Sequence, residues 1–207
     1  AALKNGIDRF MFSSTIYVYS ELGSFYRVSK QACEKIIEEY QKEYGINYTI
    51  LRYGSLYGPR SNNFNFISNA ILQALKENKI VRRGDGEEIR EYIHVKDASN
   101  LSVNALDEKY LNKHVIITGN QQIRIKDMLL MIKEIFNDNI DIIMDNEKQL
   151  HHYEITPYSF KPEIARKITP NEHYDLGQGI MDLIYDLKKD LDTNNGKGKV
   201  SLRKRKK

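Results

Sequence analysis

The fold is decided by the stretch Phe25-Tyr26-Arg27-Val28-Ser29-Lys30. It opens an amphipathic run over residues 26–44, which predicts a helix with Gly45 as its C-cap. Tyr26 and Lys30 lie four positions apart, so a helix places them on one face, one turn from each other. An ammonium beside a phenol favours the phenolate, which suits a general acid or base. The alternative is a solvated surface pair, because the same spacing occurs in many helices.

Strands are predicted on both sides of this helix. Residues 9–12 form a mostly apolar run that ends at Ser13-Ser14-Thr15, and residues 48–53 form a second apolar run. A strand, a helix and a second strand make a βαβ unit with parallel strands. Ligands of parallel sheets bind at the carboxyl ends of the strands, where the three hydroxyls lie. A loop start or a helix cap is the alternative use of these hydroxyls.

The rest of the chain continues the alternation of helices and strands. Within a predicted strand at residues 90–95, Arg90, Tyr92 and His94 share one face. Asp97 is a suitable N-cap for a helix that follows to about residue 108. The other predicted elements are helices at 64–78, 125–136 and 176–191, strands at 80–81, 114–118 and 141–144, and a loop-like stretch over 145–173. The pattern predicts an α/β protein.

The positive net charge is confined to one end of the chain. Seven of the 32 basic residues lie within 196–207, which holds no acid, leaving 25 basic against 28 acidic residues elsewhere. We therefore expect residues 191–207 to form a disordered basic tail. Within the 207 residues, no apolar run approaches the roughly 18 that a membrane span needs, so no membrane partner is expected. The single cysteine, Cys33, fits a reducing, cytoplasmic location and is expected to be buried.

Four short motifs follow one another along the chain. They are Phe12-Ser13-Ser14-Thr15 with Val18-Tyr19, then Tyr26-x-x-x-Lys30, then Leu51-Arg52-Tyr53 with Tyr57-Gly58-Pro59, then Gly84-Asp85-Gly86 with Arg90-Glu91-Tyr92-Ile93-His94-Val95-x-Asp97. This ordered set resembles the NAD-dependent epimerase/dehydratase family, the extended short-chain dehydrogenases that act on nucleotide sugars. The resemblance covers about residues 2–190.

The resemblance implies a fold and a division of the chain. The fold is the C-terminal part of a Rossmann-like parallel sheet with a smaller α/β substrate-binding lobe. Residues 1–60 are expected to form the second half of the cofactor domain. Residues 61–190 are expected to form mainly the substrate-binding lobe, with residues 89–108 returning to the cofactor domain, before the tail at 191–207.

The resemblance also implies catalytic roles around the helix. Tyr26 matches the tyrosine that exchanges a proton with a sugar hydroxyl or ketone while nicotinamide exchanges hydride. Lys30 matches the lysine that bonds the nicotinamide ribose. Thr15 matches the residue that bonds the reacting sugar oxygen. Ser13 and Ser14 are expected beside the cofactor.

Further binding residues are implied on the later strands. Tyr53 and Ser55 are expected to contact the cofactor, and Ser55 also the substrate. Arg90 matches an arginine that holds the diphosphate of the nucleotide sugar, which suits bidentate pairing of guanidinium with phosphate. The implied cofactor is NAD or NADP, with NAD favoured. No metal site is expected, because the pair His151-His152 has no second ligand cluster at metal-binding spacing.

Departures from the family pattern limit the reaction. The sugar 4,6-dehydratases place an Asp-Glu pair after the catalytic threonine, where this chain has Ile16 and Tyr17. Epimerases typically have asparagine at the position of Ser55, which leaves the hexose open. An NAD(P)-dependent epimerase or keto-reductase acting on a nucleotide sugar is therefore favoured over a 4,6-dehydratase.

The glycine-rich turn of the family is absent from the sequence. No Gly-x-x-Gly-x-x-Gly occurs to bind the cofactor pyrophosphate, so we expect a fragment, a split gene product or a truncated reading frame. A separate N-terminal segment is then a candidate partner. The alternative function is a catalytically silent remnant or binding subunit. The family further implies a homodimer through the helix at 26–44, whereas nucleic-acid binding by the tail is disfavoured.

Overall fold

The computed structural model describes residues 1–62, 64–145, 166–168 and 172–196. The strands are β1 (Arg9–Thr15), β2 (Asn47–Tyr53), β3 (Ser55–Tyr57), β4 (Lys79–Arg83), β5 (Ile89–His94), β6 (Lys113–Ile117), β7 (Gln122–Arg124), β8 (Asp141–Asp145) and β9 (Arg166–Ile168). The α-helices are α1 (Ser24–Tyr44), α2 (Phe66–Glu77), α3 (Val95–Asn104), α4 (Ile125–Ile135) and α5 (Leu176–Gly196). The prediction of an α/β protein is confirmed.

The main sheet is parallel and has the strand order β1-β2-β6-β9. The predicted βαβ unit is present, because α1 connects the parallel strands β1 and β2. Their register pairs Ser14 with Arg52 and Thr15 with Tyr53, which brings the two carboxyl ends to one edge. Strands β6 and β9 join this sheet although their residues lie within the range expected for the lobe. Strand β9 also corrects the prediction of a structureless stretch over 145–173.

A smaller α/β region packs beside the main sheet. It contains the sheet β3-β5-β7 and the parallel pair β4-β8. Its core lies between α2, α4 and α5, where Ile71, Ile132 and Leu183 are completely buried. The turn at Gly84–Gly86 uses left-handed glycines (φ 93° and 74°) and joins β4 to β5, which belong to different sheets.

The prediction of Asp97 as an N-cap is wrong. The N-cap of α3 is His94, whose ring nitrogen Nδ1 accepts the Lys96 N–H at 3.4 Å. Asp97 lies inside the first turn, where a carboxylate still interacts favourably with the helix dipole. Its carboxylate is buried and accepts the Tyr174 N–H at 2.9 Å, which links α3 to the segment before α5.

Helix α1 is where the predicted packing differs most from the structure. The apolar positions Val28, Ile36 and Tyr40, which recur at helical spacing, are 49%, 56% and 47% exposed. Cys33, expected to be buried, is only partly so. The one fully buried residue of α1 is Glu34, because its carboxylate pairs with Arg52 of β2. The side of α1 that faces the sheet is therefore polar, and its apolar side faces outward.

Within the described parts of the chain, no helix is both long and apolar enough to cross a membrane.

Candidate active site

One cavity collects five of the eight predicted site residues. It has a volume of about 590 Å³ and lies at the carboxyl ends of β1 and β2, between the main sheet and the smaller region. The predicted residues among its lining are Thr15, Tyr26, Tyr53, Ser55 and Arg90. Five different elements contribute them, so the cavity exists only in the folded chain. Ser13, Ser14 and Lys30 lie outside the lining.

Tyr26 is presented at the mouth of this cavity by the first turns of α1. It is 51% exposed, and its ring meets that of Tyr17 edge to face, with centroids 6.2 Å apart. Gly23 permits this approach, because it caps α1 with a left-handed φ of 106° and a Cβ there would lie 2.7 Å from the Tyr17 ring. An exposed phenol beside a cavity can reach a ligand held inside it.

Lys30 lies one helical turn after Tyr26 and is directed at β1. Its Nζ donates a hydrogen bond to the carbonyl of Ser13 at 2.8 Å. The ammonium also lies 4.9 Å from the centroid of the Phe12 ring and 5.9 Å from that of Tyr26. The predicted Tyr–Lys pair is therefore on one face of α1, with its cation between the phenol and the end of β1.

The three hydroxyl residues at the end of β1 face different surroundings. Thr15 is buried, lines the cavity and accepts the Tyr17 N–H at 3.3 Å through its hydroxyl. Ser14 is also buried, but its hydroxyl donates to the Glu34 carboxylate at 2.5 Å. Ser13 is exposed and engages Lys30 through its backbone. Of the three side chains, that of Thr15 is in the cavity.

Tyr53, the last residue of β2, and Ser55, the first residue of β3, form one wall of the cavity. The Tyr53 hydroxyl shares a 2.6 Å hydrogen bond with the Ser102 hydroxyl of α3, which fixes the phenol. Gly54, which lies between Tyr53 and Ser55 in the sequence, passes close to Thr118, since a Cβ on Gly54 would lie 2.6 Å from the Thr118 hydroxyl. This close passage brings Ser55 to the cavity.

The cavity has a cationic wall. Arg90 is 7% exposed and donates to the Ile89 carbonyl at 3.0 Å, and Arg82 and Arg83 line the same cavity. Arg82 is paired with Glu88 at 2.9 Å, and its guanidinium lies 4.8 Å from the centroid of the Phe66 ring. Among the described residues that line the cavity, none is a carboxylate. Such a wall favours an anionic ligand.

Sequence reasoning missed several residues of the cavity. Asn65 caps α2 by accepting the Ser68 N–H at 3.1 Å and donates to the Leu56 carbonyl at 2.7 Å, which seats α2 against β3. Asparagine before an apolar run is an N-cap signal that predicts the helix start, but not its place at a cavity. No local sequence pattern predicts that Tyr17 lines the cavity.

A metal centre finds no support in the described part of the chain. No group of three or more His, Cys, Asp or Glu side chains there is arranged to hold a metal ion. The pair His151-His152 lies outside the described residues.

Comparison with known proteins finds a matching family and several relatives. The sequence model of the NAD-dependent epimerase/dehydratase family matches residues 1–118. The chain is 30% identical over 152 residues to a putative UDP-glucose 4-epimerase of Methanocaldococcus jannaschii, covering 69% of this chain and 49% of that protein. It is 27% identical over 182 residues to the uncharacterized UDP-glucose epimerase YtcB of Bacillus subtilis, covering 74% of this chain and 58% of that one. The chain thus spans only about half the length of these relatives.

Solved structures share the fold. A UDP-glucose 4-epimerase from Thermotoga maritima with UDP-glucose has a TM-score of 0.76 at 22% identity, covering 92% of this chain and 66% of that chain. A UDP-glucuronic acid 4-epimerase from Bacillus cereus in complex with UDP-glucuronic acid and NAD has a TM-score of 0.73 at 23% identity, covering 88% and 62%. The main sheet is therefore Rossmann-like. Because the family match covers more than half of the sequence, this chain belongs to the NAD-dependent epimerase/dehydratase family.

Proposed function

We propose that the cavity binds a nucleotide sugar and that the protein acts as an NAD(P)-dependent epimerase or keto-reductase. The diphosphate lies against Arg90, and the reacting sugar carbon lies between Thr15 and Tyr26. The observation that carries this proposal is the convergence of these three residues on one cavity of about 590 Å³. A volume of this size is within the range of small-molecule sites.

Tyr26 supplies the acid or base in this proposal. Its phenol removes the proton from the sugar hydroxyl that is oxidised and returns it when the ketone is reduced. The Thr15 hydroxyl holds the same sugar oxygen, because a hydroxyl can donate and accept a hydrogen bond. The Lys30 ammonium lies 5.9 Å from the centroid of the Tyr26 ring, on the same face of α1.

The residues beside Tyr26 suit the nicotinamide ribose. Lys30 carries three N–H donors, and its bond to Ser13 leaves others for ribose hydroxyls. Tyr53 and Ser55 complete the cofactor contacts, and Ser13 lies beside Lys30 through their hydrogen bond. When bound, the cofactor supplies the hydride exchange. NAD is favoured over NADP because the family is NAD dependent.

The cavity lining favours epimerisation or ketone reduction over dehydration. Dehydration needs an acid and a base in addition to the tyrosine. After Thr15 the chain places Ile16, which is buried and apolar, and then Tyr17. With no carboxylate among the described lining residues, the additional groups are not supplied there.

A second candidate is a subunit that binds the sugar but depends on another polypeptide for the cofactor. Among the described strands, β1 pairs only with β2, so its other edge is open. Ile7 and Phe10 are 49% and 38% exposed along this edge region. An unpaired edge with apolar neighbours is a template for another strand. A separate N-terminal segment that carries the glycine-rich turn is the proposed partner.

The exposed side of α1 suits a homodimer. Phe25, Val28, Ile36, Tyr40 and Tyr44 recur at helical spacing, and all are at least 47% exposed. An apolar stripe on a surface helix marks an interaction site. A two-fold pairing of α1 with its copy covers the stripe with an identical surface.

Calorimetry separates these candidates. We expect UDP-hexoses to bind the purified chain and NAD to bind more weakly than it does to whole enzymes. Sugar binding without cofactor binding at millimolar concentration identifies the dependent subunit. If neither ligand binds, the proposed function is wrong.

A further inference from the structure

Glu34 is a buried carboxylate at the junction of three elements. It extends from α1 and is 3% exposed. Its Oε1 accepts from the Ser14 hydroxyl at 2.5 Å and from Arg52 Nε at 3.0 Å, and its Oε2 accepts from Arg52 Nη2 at 2.6 Å. Ser14 and Arg52 are direct partners across the β1–β2 pair. One carboxylate therefore connects α1 to both strands.

The connection extends into the segment that follows Thr15. Arg52 Nη1 donates to the Tyr19 hydroxyl at 2.5 Å, and the guanidinium lies 4.7 Å from the centroid of the Tyr19 ring. Tyr19 ends the 3-10 helix Ile16–Tyr19, which begins directly after Thr15. On the outer side, His114 Nε2 lies 3.0 Å from Glu38 and its Nδ1 lies 3.7 Å from Glu34.

These contacts share a helix face with the candidate catalytic pair. Tyr26, Lys30 and Glu34 follow at intervals of four residues, so they line one side of α1 over two turns. Glu34 is joined to Ser14, and Lys30 is joined to Ser13. Thr15, the next residue on β1, lines the cavity together with Tyr26. The distance from Tyr26 to Thr15 is thus set by bonds between the helix and the strand.

Stability alone does not explain an ion pair at this position. Desolvating two charges opposes folding, and well-packed apolar side chains of similar volume stabilise a core as well or better. A bidentate guanidinium–carboxylate pair differs from an apolar contact in its directionality. It restrains both the rotation and the axial shift of the helix that carries it.

We propose that Glu34 and Arg52 are positioning residues, which hold α1 in the register that places Tyr26 and Lys30 against the end of β1. They act through Ser14 and Tyr19 and do not touch the substrate. The expected effect of these residues on turnover rests on the proposed function. Their effect on the position of α1 can be measured without turnover.

The test separates stability from position. The double variant Glu34→Leu/Arg52→Met removes both charges, and we expect its melting midpoint to stay near that of wild type. We expect its turnover of nucleotide sugar to fall about 10²-fold with little change in KM, because small misplacements of reacting groups have effects of this size. A second variant, Arg52→Lys, keeps the charge but loses the bidentate geometry, and we expect a loss in the same direction.

Geometry is read directly from nuclear Overhauser effects between the rings of Tyr17 and Tyr26, which meet at 6.2 Å. We expect both variants to weaken these signals. The matched control Glu39→Leu/Lys42→Met removes an exposed ion pair from the same helix and should leave the signals unchanged. Wild-type signals in both Arg52 variants overturn the proposal. If the wild-type protein has no turnover but its nuclear Overhauser effects still weaken in the two Arg52 variants, the proposed function is wrong and the positioning role stands.

Discussion

The Lys30 ammonium donates a 2.8 Å hydrogen bond to the carbonyl of Ser13, two residues before β1 ends at Thr15. The bond joins the helix that carries Tyr26 to the strand that carries Thr15. Lys30 thereby has a structural partner in the unliganded chain while its charge stays near the phenol. The contribution of Lys30 to folding stability and its contribution to turnover can therefore be measured separately.

Replacing Lys30 with methionine should reduce turnover much more than stability. The bond is exposed and contributes only about 0.5–1.5 kcal/mol to folding, whereas in the proposed function the ammonium holds the nicotinamide ribose beside Tyr26. We expect a turnover loss of at least about 10²-fold. Lys35→Met, at an exposed position on the same helix, is the control for both measurements. A Lys30 variant with normal turnover would exclude the assigned role.

Replacing Arg90 with methionine should weaken nucleotide-sugar binding. Hydrogen bonds to a charged group contribute about 1.5–3 kcal/mol, so we expect Kd to rise about 10- to 100-fold in calorimetric titrations. The effect should be the same for UDP and for a UDP-sugar, because the contact is to the diphosphate. Arg60→Met, outside the cavity and exposed, is the matched control. An unchanged Kd for Arg90→Met would place the diphosphate elsewhere.

Stability should fall in mild acid because of two histidines, His94, which is buried, and His114, which is 11% exposed. Burial lowers the pKa of His114 from its ordinary value of 6.5, aided by the Arg52 cation, and the carboxylates of Glu34 and Glu38 oppose this shift without outweighing it. Burial also lowers the pKa of His94. Below pH 6.5 the unfolded chain therefore binds more protons than the folded one, so stability is lost as pH falls.

The pH dependence is measured as the melting midpoint between pH 8 and pH 5. Above about pH 7 we expect a plateau, because the histidines are neutral in both the folded and the unfolded state. Below about pH 7 we expect the melting midpoint to decline. His114→Gln should make the decline shallower. His173→Gln, at an exposed position, is the control and should leave the curve unchanged. A decline of equal steepness in His114→Gln would show that other groups cause it.

The proposed homodimer should depend on the outward side of α1. Ile36 is 56% exposed at the centre of the stripe, so a charge there should break a pairing of two such helices. We expect Ile36→Glu to be monomeric by light scattering at concentrations where wild type is dimeric. Lys42→Glu introduces the same charge on another side of α1 and should leave the dimer intact. A dimer that survives Ile36→Glu uses another surface.

The sequence was sufficient to predict the elements of the site but not the packing of α1. Its end at Tyr44 was predicted, and its start to within two residues, because Gly45 marks the C-terminus and apolar residues recur at helical spacing. The same periodicity does not reveal whether a stripe faces the core or the outside. The buried Glu34 determines which side of α1 faces the sheet. Its burial depends on Arg52, which lies 18 positions further along the chain. Pairings between distant charges leave no local pattern.

For the cavity, too, the positions of some residues were predictable from the sequence and those of others were not. Thr15 and Tyr53 end two neighbouring parallel strands, so their approach was predictable. Arg90 lies near the start of β5 in another sheet, and this rule does not predict its place in the cavity. Ser14 illustrates the limit, because alternation along β1 turns its hydroxyl toward α1 while that of Thr15 enters the cavity. Tyr17 reaches the cavity through a 3-10 helix that the apolar run did not indicate.

The most direct test of the account is turnover by wild type and Tyr26→Phe under identical conditions. The chain is incubated with NAD and a panel of UDP-, GDP- and dTDP-hexoses, and inversion at C4 is followed by proton NMR. We expect Tyr26→Phe to bind nucleotide sugar as wild type does, because the phenol is half exposed and removal of its hydroxyl leaves the ring in place. We expect its turnover to fall by about 10²- to 10⁴-fold. Measurable and equal turnover in the two proteins would contradict the assignment of Tyr26 as the acid or base.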